Sequence, residues 1–469
     1  MSPIKMRCWR RHRAPRNGAV AAVRRIAALV GVALAAATTS AAVAQAGFAN
    51  AGQPKSEDLL SLRELYDDVR RSNPRADAAR ALARAADARV PSAGLPADPQ
   101  LQLGFMNYRL PGLRPMDPLG MTQLQLMQIV PVAGKLGLSS RIASAQAAAI
   151  GERATEVEWE MRQAAAVHFY DLYRTDHALV VARETLRLLD DIRRTAESMY
   201  RVGEGRQADV LRAQVEIARM VEDTVRMSTM RTGTAARLNA LLDRAGDARV
   251  GAPRLPAFPD TVPSLETLVR RAVSARPTVR AGEHQLQAAV AEEKLARREI
   301  WPDLTVGLQY GQRSDEMGTD RMGSLMIGAS VPIFARSRQL RLREEAAAMR
   351  QMAAADLRWM HAETRGRVTE AYADLMRARK LAQLYRTTVL PQAQAAATSA
   401  QAAYRVGSVD FMTLLDDQMT VNTYRQELFA LEADEGRAWA ELEMLVGQEL
   451  FDAGEPRKVA TAFGWRDER

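Results

Sequence analysis

Tyr200-Arg201-Val202-Gly203 is written a second time as Tyr404-Arg405-Val406-Gly407, 204 residues further along a chain of 469. Leu211 and Gln214 then meet Leu415 and Gln418 at the same offset. Working outward, Asp171-Leu172 meets Asp374-Leu375, and Asn73-Pro74 meets Arg276-Pro277, both at 203. Pro99, Leu101, Leu103 and Gly104 meet Pro302, Leu304, Val306 and Gly307 at 203, and Val130-Pro131 meets Val331-Pro332 at 201. Anchors in one order, all within three residues of one offset, read as a tandem duplication. The first repeat spans 45–251, the second 252–450, and a tail occupies 451–469.

Each repeat holds two kinds of segment. No proline occurs from Val132 to Ala252, and Ala, Leu, Arg, Glu and Gln dominate there, so long helices are expected over 138–199 and 207–242. In the second repeat Val368, Ala371, Leu375, Ala378, Ala382, Tyr385 and Val389 alternate by three and four, a heptad seam within helices expected over 338–403 and 409–446. The same register in the first repeat falls on Ala165, His168, Leu172, Thr175, Leu179, Ala182 and Leu186. At 1.5 Å per residue the longest helix reaches roughly 90 Å. Pro391 has no counterpart in the first repeat and predicts a kink or local unwinding. The second kind alternates with period two: Leu101, Leu103 and Phe105 with Gln100, Gln102 and Gly104, then Leu304, Val306, Leu308 and Tyr310 with Thr305, Gly307 and Gln309. Strands are expected near 99–108, 121–130, 302–311 and 324–334, each apolar on one face, with loops over 109–118 and 312–323. Gln128 breaks the alternation.

The net charge of +9 is concentrated at one end: residues 1–44 hold eight basic side chains and no acid, leaving 57 basic against 56 acidic residues elsewhere. A near-neutral remainder argues against nucleic acid as a partner. The basic stretch runs into Ile26–Ala37 and the small residues Ala42-Val43-Ala44, the form of a secretory signal peptide over 1–44. The single cysteine, Cys8, lies inside it, so the exported chain has no disulfide and no thiolate ligand. His168, His177, His284 and His361 are scattered, with no metal-ligand spacing, and no phosphate loop or nucleophile elbow occurs. Neither an enzyme nor a bound cofactor is expected. Met227 with Met230, and Met349 with Met352, stand at helical spacing and are expected to pack in helix interfaces.

Four strands cannot close a barrel, so several copies must contribute to one wall. At this point the chain resembles a TolC-family outer-membrane factor, on the doubled Tyr-Arg-Val-Gly turns, Val331-Pro332-Ile333-Phe334 after the last strand, and Leu390-Pro391-Gln392-Ala393. Leu95-Pro96-Ala97-Asp98-Pro99 and Gln128 to Lys135 are similar to heavy-metal efflux members of the CzcC/CusC type. The resemblance implies a mainly α fold with a small β part, in which a homotrimer joins a twelve-stranded barrel in outer-membrane lipid to an α-helical periplasmic barrel. It also implies a periplasmic adaptor, an inner-membrane pump of the RND type, and export of heavy-metal cations. Multidrug efflux, type I protein secretion and a soluble periplasmic coiled-coil scaffold are the competing readings.

Gly203 and Gly407 suit tight turns between helices. The resemblance makes these turns the tips touched by the adaptor, with Tyr200, Arg201, Val202, Gly203, Glu204, Tyr404, Arg405, Val406, Gly407 and Ser408 as contact residues. It also places Asp416, with Asp417 beside it, at the periplasmic aperture, where several copies form a negative ring. Arg212 occupies the matching position of the first repeat and is the candidate partner of Asp416.

Overall fold

The computed structural model describes residues 59–454, apart from 110, 113, 117–119 and 316–317. The segment expected to be a signal peptide and most of the tail lie outside the described residues. The same succession of elements occurs twice. In the first repeat α1 (Leu62–Ser72) and α2 (Pro74–Ala93) precede β1 (Gln100–Met106) and a small hairpin of β2 (Tyr108–Arg109) and β3 (Arg114–Pro115). Then come β4 (Met121–Val130), α3 (Lys135–Arg201) and α4 (Gln207–Leu241). In the second repeat α5 (Leu265–Ala275) and α6 (Pro277–Arg298) precede β5 (Leu304–Asp315) and β6 (Gly318–Ala329). The chain then follows α7 (Gln339–Leu384), a π-helical turn at Tyr385–Val389, α8 (Leu390–Arg405) and α9 (Phe411–Val446). With 67 residues, α3 is about 100 Å long.

Three features differ from the sequence expectation. The opening helix pair of each repeat was not anticipated, because α2 is Ala- and Arg-rich with little apolar periodicity. The last strand was expected over 324–334 and its preceding loop over 312–323; instead β5 and β6 extend to meet in a short hairpin, and β6 ends at Ala329. Polar residues at the far end of a strand escape an apolar pattern, while Val331 to Phe334 continues it beyond the end of β6. The strand expected over 302–311 correspondingly runs from Leu304 to Asp315.

The helix pairs begin alike but are capped differently. Asn73 accepts the amides of Arg75 and Ala76 at 3.0 Å, the preferred N-cap geometry. Arg276 at the equivalent position has no side-chain cap. Its place is taken by Glu156 of α3, which accepts the Thr278 amide at 3.3 Å and pairs with the Arg276 guanidinium at 2.9 Å. Arg276 also donates to the Thr364 hydroxyl at 3.1 Å, tying α3, α6 and α7 together in the buried interior. Nearby, α3, α1 and α9 close over Tyr66, Phe169 and Tyr170.

The π turn sets the phase of everything beyond it. Val368, Ala371, Leu375, Ala378 and Ala382 are buried as the seam requires. Continued without interruption, the seam falls on Val389, but Val389 is half-buried and Leu390 takes the buried position, followed by Ala397, Ala400 and Tyr404. Each lies one residue later than an unbroken heptad gives. A π turn holds one extra residue, so it delays the seam by that amount. It also relieves the carbonyls preceding Pro391, which in a regular helix clash with its ring. In α3 the seam proceeds without a bulge through Leu179, Ala182, Leu189, Ile192 and Ala196.

Candidate functional site: the helical tips and the strand wall

At one end of the helices the chain reverses twice. The end of α3 is closed by the Glu204 and Gly205 amides, which both donate to the Met199 carbonyl at 2.9 and 3.0 Å, with Gly203 at φ 84°. The end of α8 is closed by the Ser408 amide and hydroxyl, which donate to the Ala403 carbonyl at 2.9 and 3.0 Å, with Gly407 at φ 72°. Both glycines occupy the left-handed region that a Cβ disfavours. Asp410 then caps α9, accepting the Thr413 amide at 3.0 Å and its hydroxyl at 2.5 Å, and these bonds hold its carboxyl below the usual range. The two turns sit on one apolar cluster that joins Leu189, Ile192, Ala213, Met220, Tyr404, Phe411 and Leu414.

Val202 and Val406 stand 70% and 78% exposed at the crests of these turns, and Tyr200 is also exposed. Arg201, Gly203, Glu204, Arg405, Gly407 and Ser408 are exposed as well. Tyr404 departs from the expectation of a contact residue: it is buried, packs edge-on against Phe411 at 6.0 Å, and belongs to the support of the tip. Asp416 is exposed on α9, Asp417 is half-buried, and Arg212 is exposed on α4. No ion pair joins Arg212 to Asp416 within the chain. Leu414, Leu415 and Gln418 carry the packed face of α9, so Asp416 is left on the open one.

At the opposite end, four antiparallel strands pair in the order β1-β4-β5-β6. Register assigns every Leu, Val, Phe and Tyr of these strands to one face: Leu103, Leu124 and Tyr310 share a row, as do Leu101, Leu126, Leu308 and Leu325. The other face carries Gln102, Gln125, Gln309 and Ser324 in one row, and Gly104, Gln123, Gly311 and Met322 in the next. Gln309 donates to Gln123 at 2.6 Å. Gln128 lies on the apolar face, where its amide donates to the carbonyls of Ala97 and Ile129 at 2.7 and 2.8 Å near the end of the sheet. Beside it Lys135, buried at the start of α3, donates to the Trp301 carbonyl at 3.0 Å and to Asp303 at 2.9 Å. This clamp fastens the first repeat's long helix to the second repeat's first strand. In the sequence Lys135 stands out only as the end of the Gln128 to Lys135 motif; Ala133 and Gly134 before it, both at positive φ, turn the chain into α3.

The remaining candidates disperse. His177 stacks on Phe429 at 4.3 Å, and burial lowers its pKa; burial lowers that of His168 too. Among the described residues no cluster of three His, Cys, Asp or Glu could hold a metal ion. Met227 packs partly into the tip cluster, whereas Met230, Met349 and Met352 are exposed in the single chain rather than packed in an interface. Among the described residues no helix is long and apolar enough to cross a membrane.

A strand wall with one apolar face therefore leads into helices that end in paired tips. Residues 268–448 match the family described as outer membrane efflux protein. A curated relative, the pyoverdine export outer membrane protein OpmQ of Pseudomonas putida, is 27% identical over 203 residues, 41% of this chain and 40% of that protein's length. The solved structure of CusC is similar over 85% of this chain and 96% of its own, at 17% identity and TM-score 0.71. The outer membrane protein VceC of Vibrio cholerae is similar over 83% and 97%, again at 17% identity and TM-score 0.71.

Proposed function

We propose that the chain forms the outer-membrane exit duct of a tripartite efflux system, as a homotrimer with a twelve-stranded barrel. The observation that carries this is the four-stranded sheet, whose outer strands β1 and β6 each have one edge without a partner strand among the described residues. An unpaired backbone edge is untenable inside a bilayer, so β6 of one copy pairs with β1 of the next until the wall closes. Four strands per copy reach twelve with three copies, within the range of bacterial barrels. A periplasmic adaptor docks on the crests at Val202 and Val406, and an inner-membrane pump of the RND type supplies the energy. Asp416 and Asp417 line the aperture above the tips, with Arg212 on the adjoining helix. Heavy-metal cations are the proposed cargo.

Two measurements test this. Purified protein in a planar bilayer conducts as a trimer; a monomer without conductance refutes the duct. A deletion strain, complemented or not, is challenged with silver, copper, zinc, cobalt and cadmium alongside dyes, detergents and antibiotics. Sensitivity confined to metals supports the cargo, and sensitivity confined to organic compounds replaces it. The relative that exports pyoverdine favours one second reading, export of an organic metal chelate. Growth inhibition relieved by complementation only when a siderophore accumulates selects that reading.

A further inference from the structure

The four strands hold five methionines, and strand register places all five on the face opposite the leucines. Met106 stands opposite Met121, Met127 lies in the row of Gly307 and Met326, and Met322 lies in the row of Gly311. Two glycines of β5 form the floors between them. A Cβ built on Gly307 meets the Met326 methyl at 3.2 Å and the Met127 Cγ at 3.4 Å. One built on Gly311 meets the Met121 sulfur at 3.0 Å, with Met322 directly across the strand pair. At Gly307 a thioether side chain from β4 and one from β6 both reach the space that the missing side chain leaves; at Gly311 Met121 of β4 reaches it, and Met322 of β6 stands beside it on the same face. Met106 and Met322 are 45% exposed and Met326 is 37% exposed in the single chain.

Filling a gap above a glycine does not require sulfur, since leucine has a similar volume and is the commonest apolar residue of these strands. Yet no leucine stands on this face, and Ile129 is its only branched apolar residue. The other residues of the four fully paired rows are glutamines, glycines, Ser324 and the Arg313–Asp320 pair at 3.7 Å. Histidine, cysteine and glutamate are missing from those rows. The one carboxylate of those rows, Asp320, is paired with Arg313, and the rows of Gly307 and Gly311 hold none. Thioethers free of carboxylate and imidazole partners select soft monovalent cations over zinc or cobalt, and neutral ligands in several shallow sites allow release as well as binding.

We propose that the two glycine-floored methionine pairs, Met127/Met326 over Gly307 and Met121/Met322 over Gly311, are successive thioether stations for a soft monovalent cation, Cu(I) or Ag(I), on the inner wall of the barrel. In a closed wall each pair recurs in every copy and the stations become two rings. This deepens the metal-cargo reading and rests on the sheet face being the lumen.

Silver is the probe, because it needs no reductant and the only cysteine, Cys8, lies in the stretch expected to be removed on export. Detergent-purified mature protein labelled at its methionine methyl groups is titrated with Ag(I) or Zn(II) and followed by NMR. The expected result is Ag(I)-dependent shifts of the methyl signals of Met121, Met127, Met322 and Met326, with none from Zn(II). The Met127→Leu/Met326→Leu and Met121→Leu/Met322→Leu variants each lose one station and lower silver uptake by about half. Met→Leu conserves volume, and Met→Gln variants, which match the neighbouring side chains, guard against misfolding. Silver binding unchanged in all variants, shifts confined to other methionines, or equal response to Zn(II) overturns the proposal. Conductance in the absence of metal is recorded on the same samples. A conducting protein that binds no silver refutes the stations alone, whereas loss of conductance in the wild type refutes the duct itself.

Discussion

Deleting Thr388 removes one residue from the π turn and so tests whether that turn exists to set the seam beyond it. Thr387 and Thr388 are exposed, so no packed side chain is lost by the deletion. The four buried residues beyond the turn each lie one position later than an unbroken heptad gives, so removing one residue moves Leu390, Ala397, Ala400 and Tyr404 onto the unbroken seam and turns the π turn into ordinary α-helix. If the seam were set in any other way, the loss of one residue would rotate the segment by about 100°. That rotation would expose Leu390 and Tyr404, now 6% and 5% exposed, together with the two alanines, at roughly 5 kcal/mol. What the deletion does cost is the return of Pro391 to a regular helix, about 3 kcal/mol. Hydrogen exchange over 385–405 reads the outcome directly. The deletion is expected to keep protection from Leu390 to the tip, lowered only around Pro391, and the deletion combined with Pro391→Ala is expected to recover it fully. Pro391→Ala alone is expected to leave the bulge and the protection in place, because the register of four downstream residues still demands it. Loss of protection from Leu390 to the tip in the deletion, not recovered by adding Pro391→Ala, refutes the register argument.

Four other outcomes follow from the packing. Gly436→Ala places a Cβ 2.2 Å from the ring of the fully buried Tyr170, so assembled protein is expected to fall sharply in membrane fractions; Tyr170→Leu in the same chain restores it. Glu156→Gln leaves the buried Arg276 unneutralised and is expected to cost about 3–5 kcal/mol, whereas Glu156→Gln with Arg276→Met costs less than the single change in a double-mutant denaturation cycle. Burial holds the His177 pKa below its unfolded value near 6.5, so the folded state binds fewer protons; the site is neutral in stability at high pH and destabilises as pH falls through about 6.5. The urea midpoint should therefore drop between pH 7.5 and 5, and the drop should shrink in His177→Gln. Asp416→Ala is expected to raise the conductance of the resting channel in bilayers severalfold, and unchanged conductance removes Asp416 from the aperture.

What could be read from the sequence was whatever depends on neighbours a few residues away. The seam from Val368 to Ala382, the alternation from Leu304 to Tyr310, and the glycines of the two turns are all local periodicities, and each has a direct structural counterpart. Pro391 announced an irregularity, but a proline does not specify whether a helix kinks, unwinds or takes in a residue; the buried Leu390 in place of Val389 decides that, and its partners lie on other helices. Tyr404 shares its motif with Tyr200, yet one is buried on Phe411 and the other exposed, because the Phe411 that covers Tyr404 has no equivalent beside Tyr200. Identity of motif does not carry identity of environment when two repeats pack on each other rather than on themselves. The same reason hid the methionines of the strand wall. Met326 could be assigned from its own strand to the small and polar face, but its relation to Gly307 and Met127 depends on the pairing of β4, β5 and β6 across 200 residues of intervening sequence. A strand of alternating residues fixes which side chains share a face; only register fixes which of them share a site.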